Sequence, residues 1–320
     1  MKASLALSGG GSLGAYTAGV LDALLEREAI EVDGVTGASA GAIDAALLGV
    51  GFTRGGPEEA RRILKAFWSD VGLVSRAHRR PWWRGAVEAL RSIRGRGSIR
   101  ALHALAIRSV ADFAMDPSTM EPLRGLLNRY VEPSALGKAC PLRVFINATR
   151  TRDFEPQVFA GEEIDTDAIL ASACVPLLFD PVWIKGEPYW DGGFIGNPAI
   201  YPVIYECEAS DVVLVRTTAI ESEPPRTAGE LLNRVIEASC LSALKRELRA
   251  IEFVSELVRG GGAPLRDGLR EIRVHTLETH PELEAESRGG NFNTDPAYLA
   301  RLFAMGREAG ASWKPGVAVR

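Results

Sequence analysis

Residues 3–14, ASLALSGGGSLG, and residues 31–41, EVDGVTGASAG, decide the fold. Each is a short apolar run that breaks on a cluster of small residues. Residues 3–8 read as a buried strand running into a glycine-rich turn. From 13 to 28 the apolar positions Leu13, Tyr16, Val20, Leu21, Leu24 and Leu25 follow a helical period. Residues 31–38 read as a second strand, and residues 40–50, AGAIDAALLGV, are small and apolar all round, the mark of a buried helix. Strand, turn, helix, repeated twice in the opening stretch, is the start of a parallel sheet of the α/β class.

Working outward, residues 57–75 look helical with Pro57 in the first turn. Residues 142–149 and 156–159 read as strands, and 165–173 as a short helix ending before Pro176. Residues 182–193 read as two short strands around a turn. A buried strand at 211–217, a long amphipathic helix at 228–258 and a strand at 271–277 follow. Asp295-Pro296 supplies an N-cap and first-turn proline for a last helix through Arg307. With no low-complexity linker, the chain is expected to form one domain over 1–320, carrying a basic helical insertion at about 76–135. Residues 76–108 hold nine arginines against Glu88 alone, with Trp82 and Trp83 among them.

The 320 residues are 46% hydrophobic and 24% charged, ordinary values for a globular protein. A net charge of −4 argues against nucleic acid as the main partner. Cys140, Cys174, Cys207 and Cys240 form no CxxC pair, so neither a zinc site nor a thioredoxin-like motif is expected, and buried free thiols are. The N-terminal MKASLALSGGG lacks the apolar core and cleavage site of a secretory signal. No stretch approaches the ~18 apolar residues of a membrane span. The expectation is a cytoplasmic protein without metal or cofactor.

Chemistry concentrates in three motifs. In Gly37-Ala38-Ser39-Ala40-Gly41, a sharp strand-to-helix turn needs small neighbours and projects the serine outward. The helix N-terminus behind it stabilises negative charge. The bland alternative is an N-capping serine. The loop Gly9-Gly10-Gly11-Ser12-Leu13-Gly14 matches the dinucleotide pattern GxGxxG, which wants an acid at the end of the second strand. Glu31 and Asp33 begin that strand, and Gly37-Ala38-Ser39 ends it. The loop therefore better serves as a set of backbone N–H donors for an oxyanion beside Ser39.

The base is the harder question. The four histidines are His78, His103, His275 and His280. A serine at 39, after a single earlier strand, comes too early for the usual Ser–acid–His order of α/β-hydrolases. Asp191-Gly192-Gly193 offers a carboxylate on a tight turn whose glycines let another loop approach. The alternative there is a surface β-turn. Asp44, Asp153 and Asp180 lack such a setting. A histidine-dependent triad esterase, a nucleotide-binding module and a non-catalytic lipid-binding protein stay as competing readings.

GGGSLG, GASAG and DGG, in this order, together resemble the patatin-like phospholipases. The likeness extends to ASACVP at 171–176 and, more weakly, to NFNTDPAYLARLFAMGREAG at 291–310. It implies a three-layer α/β/α sandwich with a mainly parallel central sheet. It also implies a Ser–Asp dyad of Ser39 and Asp191, with an oxyanion hole on Gly9–Gly14. The family's loop often has arginine or lysine where this chain has Leu13, so the resemblance implies a phospholipid substrate less firmly than it implies the dyad, for backbone N–H groups can form the hole. On this reading Asp191 takes the Ser39 proton, so burial must raise its pKa from the usual ~3.9. The expected partner is a lipid or other acyl ester. The arginines and tryptophans of 76–108 suggest peripheral contact with an anionic membrane, and equally a solvated basic face.

Overall fold

The computed structural model describes residues 1–77, 120–176, 178–218, 224, 228–261, 269–277, 279–280, 282–283 and 293–315. Eight strands form one mixed sheet: β1 (Lys2–Leu7), β2 (Glu31–Gly37), β3 (Arg143–Arg150), β4 (Pro156–Ala160), β5 (Val182–Ile184), β6 (Glu187–Asp191), β7 (Asp211–Val215) and β8 (Arg273–Leu277). Its order is β5-β6-β3-β2-β1-β7-β8, with β4 paired to β3. The centre, β3-β2-β1-β7-β8, is parallel, and β4, β5 and β6 join antiparallel.

The central strands are apolar on both faces because both are covered. Leu5, Leu7, Val35, Ile146, Val213 and Val215 face one core. That core is closed by α1 (Gly14–Glu26), α2 (Ala40–Ala77), α3 (Glu121–Tyr130), α4 (Thr166–Ala173) and, far along the chain, α7 (Pro296–Ser312). Ala6, Phe145, Val212 and Leu214 face the other, against α5 (Tyr201–Glu206) and α6 (Ala228–Gly260). The fold is thus an α/β sandwich with helices on both sides of the sheet.

The helix read at 40–50 and the one read at 57–75 belong to α2, which breaks at Gly55 and Gly56. Gly56 has φ 75°, a conformation glycine adopts without steric cost, and Pro57 restarts the helix just beyond it. Helices α1 and α7 meet backbone to backbone. A Cβ on Gly19 would lie 2.1 Å from the Phe303 carbonyl oxygen, and one on Gly306 2.0 Å from that of Tyr16. The buried Asp22 on α1 is paired by Arg61 from α2 and Arg307 from α7, and Glu26 binds the same two arginines. A carboxylate removed from water needs such partners.

All four cysteines are free; Cys174 and Cys207 are buried, Cys140 and Cys240 half-buried. Among the described residues no helix is long and apolar enough to cross a membrane. The basic stretch at 76–108 falls, from residue 78 on, outside the described residues, as does most of the insertion expected at 76–135.

Candidate active site

β2 ends at Gly37 and α2 begins at Ala40, so Ser39 stands in the turn between them. Its φ is 55°, a left-handed conformation that non-glycine residues hold only when their surroundings enforce it. The enforcement is visible in the flanking glycines. A Cβ on Gly37 would sit 2.1 Å from the Gly41 carbonyl oxygen, and one on Gly41 2.1 Å from that of Leu7. Ala42 and Ile43 N–H groups bond the Ser39 carbonyl, at 3.0 and 3.3 Å, so Ser39 also opens the helix. Nucleophile-like turn and helix start are one geometry here, not rivals.

Asp191 is the last residue of β6 and lies opposite Ala148 of β3. Its backbone N–H donates to Cys174 O at 2.8 Å, and its carbonyl accepts from Thr149 Oγ1 at 2.8 Å. The carboxylate accepts from Gly193 N–H at 2.7 Å. Burial pushes its pKa up to about 6, while the Ser39 hydroxyl and the Gly193 N–H pull the other way. Gly192 permits the turn because a Cβ there would fall 1.8 Å from Asn147 O. Burial also lifts the neighbouring thiols of Cys174 and Cys240 to about 12, with the Asp191 carboxylate adding to it.

The glycine loop follows β1 and packs on the serine. A Cβ on Gly9 would lie 2.6 Å from Ser39 Cβ. Gly9 N–H donates to Asn197 Oδ1 at 2.6 Å, and its carbonyl accepts from Thr217 Oγ1 at 2.5 Å. Gly11 has φ 57° and opens a 3-10 turn, Gly11–Leu13, that leads into α1. Leu13 N–H returns to Gly10 O at 3.1 Å. Among the described residues no hydrogen bond uses the N–H groups of Gly10, Gly11 or Ser12. Gly14 is needed because the Trp68 ring crosses it, 2.2 Å from a Cβ built there. Leu13, at the position where a cation is common, is buried in the core.

Ser172, Asn147, Asn197 and Thr217 escaped the sequence reading. Ser39 N–H donates to Ser172 Oγ at 3.0 Å, and Ser172 Oγ donates to Asn147 O at 2.7 Å. Asn147 Nδ2 then donates to Gly192 O at 2.8 Å and Gly196 O at 3.0 Å. This buried chain ties the serine turn to the aspartate turn. The available signal was an asparagine in the middle of an apolar strand, LRVFINAT.

His275 is not near the serine. Its Nε2 bonds Asp211 Oδ1 at 2.7 Å, at the N-terminal start of β7, whereas Ser39 leaves the C-terminal end of β2. His280 Nδ1 accepts from Glu282 N–H. His78 and His103 lie outside the described residues. Asp44 is buried on α2 and bonded by Trp68 Nε1 at 2.8 Å, its carboxyl held well above the usual range by burial. Asp153 pairs with Arg150 at the surface.

In this α/β protein a serine at a strand-to-helix elbow and a buried aspartate thus stand at the C-terminal edge of the parallel strands. The patatin-like phospholipase profile matches residues 5–204, and the chain belongs to that family. No curated protein matches it significantly. Among solved structures it is similar to VipD from Legionella pneumophila, at 15% identity and TM-score 0.38, covering 94% of this chain and 66% of that one. It is also similar to the ExoU–SpcU heterodimer of the Pseudomonas aeruginosa type III secretion system, at 17% identity and TM-score 0.33, covering 94% and 52%. The chain therefore spans between half and two thirds of those proteins' lengths.

Proposed function

We propose that the protein is a serine hydrolase of lipid acyl esters, of phospholipase A, lysophospholipase or esterase type, working through Ser39 and Asp191. The observation that carries this reading is that Asp191 and the turn bearing Ser39 stand on one edge of β3, with burial raising the Asp191 carboxyl to about 6 and the Ser39 hydroxyl acting against that rise. A carboxylate there is a far better base than one at ~3.9, yet is ionised at neutral pH. Membership of a phospholipase family supports lipid as the substrate class.

Ser39 Oγ attacks the acyl carbonyl carbon as Asp191 takes its proton. The carbonyl π pair moves to oxygen, and the N–H groups of Gly10, Gly11 and Ser12 hold that oxyanion. Collapse breaks the ester bond, and the leaving alcohol takes the proton from Asp191. Water then attacks the acyl-serine and gives a proton to Asp191. The second collapse frees the fatty acid and returns the proton to Ser39.

The test is labelling with a fluorophosphonate, followed by hydrolysis of p-nitrophenyl esters of increasing chain length. The adduct should map to Ser39, and Ser39→Ala should lose both labelling and turnover while staying folded. An adduct on another serine, or turnover surviving in Ser39→Ala, overturns the reading.

A further inference from the structure

The C-terminal edge of the sheet carries a third residue in line with the two already described. Leu7 of β1 pairs with Gly37 of β2 on one side and with Val215 of β7 on the other. Two residues beyond that row stand Gly9, Ser39 and Thr217. Gly9 is therefore in the middle, with Ser39 on its β2 side and Thr217 on its β7 side.

Thr217 is buried, 1% exposed, and donates through Oγ1 to the Gly9 carbonyl at 2.5 Å. A trans peptide is planar, so the N–H of Gly10 points opposite to the C=O of Gly9. With that carbonyl drawn toward β7, the Gly10 N–H is turned toward β2, the side on which Ser39 stands. Gly9 N–H is held in turn by Asn197 Oδ1 at 2.6 Å, so both polar groups of Gly9 are pinned. Three consecutive glycines would otherwise leave the peptide wide rotational freedom. The contact is close: a Cβ on Gly10 would lie 2.8 Å from Thr217 Oγ1.

We propose that Thr217 is a positioning residue that aims the Gly10 N–H at the oxyanion. Thr217 lies beyond residue 204, where the family match ends. The proposal rests on the serine-hydrolase reading, and its test separates the two.

Thr217→Val keeps the shape and removes the hydroxyl; Thr217→Ser keeps the hydroxyl. Removing an oxyanion donor outright lowers kcat by ~10²–10³, so a misaimed one should lower it by about 10- to 100-fold. Thr217→Val should show this fall in kcat for a p-nitrophenyl ester with KM within about threefold. Its affinity for an alkyl trifluoromethyl ketone, whose hemiketal oxyanion occupies the same place, should fall by the same factor. Thr217→Ser should stay within about threefold of the parent on both counts. Because the ketone Kd and KM do not depend on how much protein is folded, a less stable variant still gives an answer. Unchanged kcat and ketone affinity in Thr217→Val, or a Thr217→Ser as slow as Thr217→Val, overturns the positioning role while leaving an inert Ser39→Ala intact. Turnover in Ser39→Ala overturns the underlying reading instead.

Discussion

Gly37 and Asp191 occupy the same edge of β3, opposite Ile146 and Ala148. The other edge is taken by β4, which pairs from Phe145 to Thr149 and so overlaps both partners. Parallel β2 and antiparallel β6 thus run toward each other along one strand, their ends about 7 Å apart at ~3.3 Å per residue. The turn after β2 carries Ser39, and β6 delivers Asp191 to it. One strand acts as the ruler that sets serine against carboxylate.

The first prediction concerns pH. Asp191 must be ionised to accept the Ser39 proton, and its pKa stands at about 6. The kcat/KM for a p-nitrophenyl ester should rise with pH through about 6 and then level off. Asp191→Asn should fall by ~10²-fold or more, the usual scale of a general base, and should lose the titration. His275→Ala and His280→Ala should keep the wild-type profile. A histidine variant as inactive as Asp191→Asn would show that the wrong base has been chosen.

Stability should move against activity at the same residue. A carboxyl whose pKa is raised on folding binds its proton more tightly in the native state, so stability falls as pH rises from about 4 to about 6 and stays reduced above. Each unit is about 1.4 kcal/mol, which makes the ionised Asp191 a burden on the order of 1–3 kcal/mol at neutral pH. Asn at 191 carries no charge and can still accept from Gly193. Denaturant melts at pH 7.5 should find Asp191→Asn at least as stable as the parent, with the gap closing toward pH 4. A constant gap across that range counts against the assignment.

Two glycine substitutions should differ in sign. Gly41→Ala drives a methyl onto the Leu7 carbonyl, 2.1 Å away, and onto backbone that cannot yield. It should cost several kcal/mol, within the exceptional range for point changes, and much of the activity. Gly125 is an exposed position on α3 with nothing within 4 Å of a Cβ. Gly125→Ala should gain about 0.5–1 kcal/mol with activity unchanged. Thermal melts and esterase assays on the pair decide it.

Ser172→Ala should damage both stability and turnover. It leaves the Ser39 N–H and the Asn147 carbonyl without their partner in a buried place. An unsatisfied buried group costs about 1–3 kcal/mol. Because one of them belongs to the serine itself, kcat should drop more than KM rises. A variant with normal kcat and only lowered melting temperature would reduce Ser172 to a packing role.

How much of this was legible beforehand follows from what each motif had to do. GASAG and the loop at 9–14 were readable because close backbone approach demands glycine, and glycine stands out in a sequence. Asp191 was readable through the two glycines behind it. The helix boundary inside α2 was marked by Gly55-Gly56-Pro57. Ser172 and Thr217 were not readable, and Asn147 showed only as an asparagine inside an apolar strand, because a hydrogen bond across the sheet depends on register, which period and composition do not report. In ASACVP the small residues mark close packing, and nothing in the motif itself singles out the Ser172 hydroxyl. The basic segment at 78–108 stands outside the described residues, so its membrane reading is still an expectation.

The glycine contact between α1 and α7 bears on how such a chain is made. α1 is buried on nearly every side, and part of that cover is α7, which leaves the ribosome only after β7, β8 and all the strands before them. During synthesis the first helix must therefore wait, with an apolar face and a bare backbone groove, for the last. Vectorial folding from the N-terminus cannot complete this core, and the nascent protein depends on not being captured by other chains before residue 306 arrives.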